Sequence, residues 1–254
     1  MVCDPDPWSL DATVFCAPQA ESEDWLVERI SKGAPGIWAH VAQGSLTRAP
    51  DRGAVWLWVA AAAAIEEVPT LAAIVQARVR YIHLINAPPG YDISHSEPRW
   101  SDRIFVSVPD RSDAVGALRL AEGVIHEAMH LHLTLFEADT PLVRDMAKVT
   151  YSPWRETERP VGGVLHGLFV FACLRTYFGW LPNTRCQAAL DHLRQRCRDI
   201  EAELAKVEVD SFLSSLTDTG QALVRLLVAQ TERAVLHGCC GLGSAELVTG
   251  RSDD

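Results

Sequence analysis

The sequence predicts an α+β fold, mostly α-helical, with a small β-sheet preceding one long helix. Three observations predict it. Apolar residues recur at helical spacing over most of the chain after residue 50. Two short β-like runs stand close together before the longest helical stretch. No internal repeat or clean compositional break divides the 254 residues, which are 48% hydrophobic and 22% charged. A chain of that size and composition buries a sizeable core, and we expect a single domain over 1–254.

The first fifty residues read as irregular, apart from a helix at SEDWLVERI. Two alanine-rich helices follow, VWLWVAAAAAIEE and PTLAAIVQARV, divided at Pro69. YIHLIN and RIFVSV read as strands. Their connector, APPGYDISHSEPRWSD, is rich in Pro, Gly and Ser and reads as a loop able to cover a site. The stretch SDAVGALRLAEGVIHEAMHLHLTLFEA then begins on a Ser or Asp cap and sets Val115, Leu118, Ala121, Ile125 and Met129 on an apolar stripe. KVTYSPWRETERPVGG reads as a linker into a second apolar helix, VLHGLFVFACLRTYFGW, closed by Gly179 and Pro182. Amphipathic helices at about 183–208 and 220–237 complete a helical C-terminal part, about 183–240.

Composition limits the partners. A net charge of −10 argues against general affinity for nucleic acid or anionic membrane. The N-terminal MVCDPDPWSLDATVF carries acids and prolines where an export signal needs basic and apolar residues. The apolar run Ala54 to Ile65 is too short to cross a bilayer and reads as a buried helix. Seven cysteines without a CxxC pair read as reduced thiols in a cytoplasm. The adjacent Cys239 and Cys240 read as incidental rather than as a metal site.

The chemistry concentrates in GVIHEAMHLHL. His126 and His130 lie one helical turn apart on nearly one face, so both imidazoles can reach a single ion. Glu127 points about 100° away, at the flank of such a site. Glu122 and Glu137 lie near the histidine stripe and are candidate partners for ring N–H groups, whereas His132 falls on another face. By itself the HExxH pattern is the signature of a zinc peptidase, with Glu127 as general base, and is compatible with a zincin-like local arrangement. A catalytic ion wants a third protein ligand. Leu133 and Phe136 exclude the extended HExxHxxGxxH form. His166, in the apolar RPVGGVLHGLFVF, is either that ligand or a core histidine.

GVIHEAMH followed some thirty residues later by YSPWRETERPVGGVLHGLFVF resembles the HExxH-motif proteins of ribosomal peptide natural-product pathways, which are Fe(II)- and 2-oxoglutarate-dependent peptide β-hydroxylases. The likeness rests on His126, Glu127, His130, Trp154, Arg155, Arg159, Pro160, Gly163 and His166, and covers about residues 80 to 180, the expected metal-site core. It implies His126, His130 and His166 as Fe(II) ligands, with 2-oxoglutarate and O₂ as cosubstrates and a ribosomally synthesised precursor peptide as substrate. Three ligands on one side of an iron leave positions for a chelating cosubstrate and dioxygen. The far carboxylate of 2-oxoglutarate needs a cation, and arginine grips a carboxylate through two parallel hydrogen bonds. Arg159, and after it Arg155, are the candidates; Arg175 lies nine residues past His166 on roughly the opposite helix face. A zinc peptidase acting on a peptide, and a non-catalytic peptide-binding module, are the competing expectations.

Overall fold

The computed structural model describes residues 52–85, 87–182 and 185–236. The expected helix at SEDWLVERI and the cysteines Cys3, Cys16, Cys239 and Cys240 lie outside the described residues. Within them the fold is α+β, as expected from the sequence.

Helices α1 (Arg52–Glu66) and α2 (Pro69–Arg78) are the two alanine-rich segments, and Pro69 occupies the first turn of α2. Strands β1 (Tyr81–Ile85), β2 (Ser94–Ser96) and β3 (Arg103–Ser107) form a sheet of order β1-β3-β2. The central β3 runs parallel to β1, with His83 opposite Phe105, and antiparallel to β2, with His95 opposite Phe105. The connector expected to be a loop therefore contributes the edge strand. Its three residues, Ser-His-Ser, carry no strand propensity of their own; β3 supplies their ladder partners.

The long α3 (Ala114–Asp139) starts at Asp113, whose side chain accepts from the Gly116 N–H at 3.0 Å. All five expected stripe residues, Val115, Leu118, Ala121, Ile125 and Met129, are buried. Strands β4 (Val149–Ser152) and β5 (Thr157–Pro160) pair antiparallel, so the expected linker is a hairpin. Pro153 opens its turn, the Arg155 N–H donates to the Ser152 carbonyl at 3.2 Å, and Glu156 has φ +52°. A left-handed residue after a tight turn is what a four-residue loop uses to close a twisted hairpin, and glutamate gave no cue for it. Helix α4 (Val161–Trp180) follows at once, absorbing the glycine pair expected to precede it. The fold closes with α5 (Gln187–Leu204), two 3-10 turns (Val209–Ser211 and Leu213–Ser215) and α6 (Asp218–Leu236).

One core cluster extends from Leu57 on α1 to Leu227 on α6, with α3 and α4 at its centre. Among the described residues α4 alone is long and apolar enough to cross a membrane, and 72% of its apolar window is buried inside the protein. Arg175, about three-quarters of the way along it, is 3% exposed and bonds Glu201 on α5 at 2.6 Å. Cys173, Cys186 and Cys197 are free thiols.

Candidate metal centre

Three elements converge on the histidines. α3 carries His126 and His130 on one face, and α4 packs across α3 to bring His166 alongside them. The ring centroids of His126 and His130 lie 4.9 Å apart, edge to face, and those of His130 and His166 lie 5.5 Å apart, stacked. The nearest approach is between the Nδ1 atoms of His130 and His166, at 3.3 Å. Two nitrogens bound to one ion at about 2.0–2.2 Å sit roughly 3.0–3.4 Å apart, so this pair has the spacing of two ligands. His166 is also held from its other side. Its Nε2 lies 2.7 Å from a Glu137 carboxylate oxygen, which can only accept. In the tautomer with its proton on Nε2, the ring presents Nδ1 to His130 as a lone pair. Glu137 thus occupies the place the sequence indicated, two turns beyond His130. Among the described residues no group of three His, Cys, Asp or Glu side chains converges tightly enough to hold an ion as it stands. Of the three imidazoles, His130 and His166 approach at ligand spacing, and His126 lies one turn up α3 beside them.

The rings of His126 and His130 are neutral. Burial lowers His126 to about 4, helped by the charges of Arg155 and Arg196. Burial lowers His130 to about 3, with His126, His166, Arg159 and Arg155 adding to it. Neutral imidazole is the form that binds metals. His132 stands apart, as its helix position implies: Arg78 Nε donates to its Nδ1 at 3.1 Å.

The hairpin delivers the two arginines. Its register places Arg159 opposite the buried Thr150, on the face turned towards the protein, while exposed Val149 and Tyr151 face outward. The Arg159 guanidinium lies over the first turn of α4, where a Cβ on Gly163 would meet it at 3.6–3.7 Å. Gly163 is one turn before His166, so the cation stands beside the histidine cluster. Arg155 sits in the hairpin turn, and its charge bears on both His126 and His130. Among the described residues neither arginine has a carboxylate partner, and the surface pairing with Glu156 or Glu158 that their spacing allows is not made. Arg175 is committed to Glu201.

Two of the acidic expectations change. Glu122 is not a partner of a ring N–H. α5 packs against α3 and sets Arg196 opposite it, with Arg196 Nε 3.1 Å from Glu122 Oε1. Glu127 is 3% exposed, and its two oxygens accept from Ser94 Oγ at 2.6 Å and Ser96 Oγ at 2.8 Å. Burial raises its pKa and the two hydroxyls oppose the shift. The serines had no signal in the sequence, because only pairing with β3 sets them two apart on one strand face.

Beside His126 opens a cavity of about 300 Å³, walled by Asp92, Ser94 and Ser107 on one side and by Arg119, Glu122, His192 and Arg196 on the other. Trp154 and Phe171 back the site: their rings stack at 5.0 Å, and Phe171 meets His126 edge-on at 5.5 Å. No protein-family model matches the chain, and no curated protein matches it.

Proposed function

We propose that the chain is an Fe(II)- and 2-oxoglutarate-dependent oxygenase that hydroxylates a side chain, at its β-carbon, of a ribosomally synthesised precursor peptide. The observation that carries this reading is the pair of arginines, without carboxylate partners among the described residues, beside the cluster of His126, His130 and His166. Such a cluster suits a divalent ion, and the surplus of positive charge beside it suits a dicarboxylate. His126, His130 and His166 would hold the iron, which when bound supplies the oxidising chemistry for an unactivated C–H bond.

The protein's own residues bind, orient and shield. Glu137 holds the His166 ring by its Nε2 proton and so aims Nδ1 at the centre of the cluster. Arg159 takes the far carboxylate of 2-oxoglutarate, and Arg155, at the rim, is the second choice. The cavity beside His126 receives the target side chain. Trp154 and Phe171 keep water from one flank of the cluster. The edge strand lying against the motif helix supports a zincin-like local arrangement without peptidase chemistry. A zinc peptidase needs Glu127 to take a proton from water, whereas here each carboxylate oxygen already accepts from a serine hydroxyl of the sheet, which favours an anchoring part.

The test is incubation of the iron-loaded protein with 2-oxoglutarate and a candidate precursor peptide, such as one encoded beside its gene. The reading expects succinate together with a peptide 16 Da heavier, a gain that corresponds to one oxygen atom. Arg159→Ala should raise the KM for 2-oxoglutarate by about tenfold or more, the size of losing one charged bidentate contact. Peptide fragments formed with zinc and without 2-oxoglutarate would overturn the reading in favour of the peptidase. Peptide bound but unchanged would favour the non-catalytic module.

A further inference from the structure

Glu127 directly follows the first histidine of the motif, yet both of its carboxyl hydrogen bonds run to the sheet. Three features of different elements bring this about. On α3 the residue after His126 is rotated about 100° from it, which directs the carboxyl at β2. On β2, Ser94 and Ser96 share one face, so two hydroxyls stand side by side; His95 between them points the other way and stacks on Phe105 at 4.5 Å. Between the two elements, Gly123 lets the helix approach. A Cβ there would already lie 3.3 Å from Val106 Cγ1 and 3.9 Å from Ser94 Cβ. The outcome is one carboxyl group bonded through separate oxygens to two hydroxyls, at 2.6 and 2.8 Å.

The clasp joins two parts of the site. At its β2 end Ser94, with Ile93 just before the strand, walls the cavity, and its α3 end adjoins His126, whose Nε2 is 3.9 Å from Glu127 Oε1. β2 is an edge strand of three residues, paired on one side only. A strand so short has little ladder to hold it. We infer that Glu127 is a positioning residue, which with Ser94 and Ser96 fastens β2 to the motif helix and thereby fixes the cavity wall relative to His126. The link to the metal ligands rests on the function proposed above; the clasp itself does not.

The experiment compares the full-length wild type with E127Q, E127A, the S94A/S96A pair and the combined triple variant. Urea midpoints read the clasp, and the visible absorption of bound cobalt(II) reads the histidine cluster. In E127Q the amide accepts from one serine and donates to the other, so midpoint and spectrum should stay close to wild type. E127A and S94A/S96A should both lower the midpoint and shift the cobalt bands. The triple variant should be no less stable than S94A/S96A, because it removes the carboxyl that the serine changes strand without donors. Additive losses in the triple variant would overturn the clasp. Lowered midpoints with unshifted cobalt bands would reduce it to a structural contact and overturn the positioning role. So would E127Q abolishing peptide turnover that S94A/S96A retains, since Glu127 would then act on the reacting atoms. A wild-type chain that takes up no cobalt overturns the metal reading, and the midpoints still decide the clasp.

Discussion

At the scale of single residues, the site depends on which ring nitrogen carries the proton. In His166 the Glu137 carboxylate settles it, because a carboxylate accepts and the proton must sit on Nε2. This makes a sharp prediction. His166→Ala should lose a cobalt or iron ligand and most of the metal affinity. Glu137→Gln keeps an acceptor but loses the charge, and should weaken binding by roughly 10–100-fold, the usual size for a group behind a metal-bound histidine. Isothermal titration with either ion measures both, and unchanged binding by His166→Ala would remove it from the ligand set. The spacing of His126 and His130 was legible in the sequence, since helical geometry alone puts them on one face. His166 was only a choice between ligand and core histidine, because nothing local says which helix faces it. The serines that hold Glu127 were not legible at all: a Ser-His-Ser triplet in a Pro- and Gly-rich stretch becomes a strand only where β3 offers it hydrogen bonds.

At the scale of elements, the contact of the hairpin turn with α4 keeps Trp154 in place. Gly167 makes room for it, for a Cβ there would come within 2.5 and 2.6 Å of two ring carbons of Trp154. Gly167→Ala must displace the indole, which stacks on Phe171, and through it disturb the His126 flank. Overpacking of this kind costs about 1–3 kcal/mol, and only part of it is offset by the ~1 kcal/mol by which alanine favours a helix over glycine. The control is Gly162→Ala, whose Cβ would meet only Val143 Cγ2, at 3.8 Å. Urea midpoints should fall for Gly167→Ala and stay level or rise for Gly162→Ala. An undisturbed Gly167→Ala would mean that Trp154 is not held by this contact. The helices were legible as elements because their apolar periodicity is long and unambiguous, as in α3. The hairpin was not, since its strands have four residues each and its turn uses a glutamate at φ +52°.

At the scale of the whole molecule, three neutral histidines on one buried helix make the fold sensitive to acid. His132 is the clearest case, at 5% exposed, with its pKa lowered to about 4 by burial and then by Arg78. The unfolded chain binds a proton near the ordinary value of 6.5, whereas the folded ring does so only about 2.5 units lower. Its contribution is therefore complete above pH 6.5 and is lost as the pH falls towards 4, on the order of 3 kcal/mol at about 1.4 kcal/mol per unit. His126 and His130 act in the same direction, and His126, with a quarter of its side chain exposed, contributes less than its shift suggests. Urea midpoints of the metal-free chain should decline from pH 6.5 to 4, and His132→Gln should make that decline shallower; an equal slope would show that His132 is not held neutral. The sequence by itself determined the helices, the strands β1 and β3, and the His126–His130 pair, because each follows from periodicity within one segment. Tertiary structure alone decided that His166 meets His130, that Arg159 turns inward, that Arg196 claims Glu122 and that Glu127 closes on two serines. Those depend on which faces of separate elements pack together, and a pattern within one segment contains no information about the face opposite.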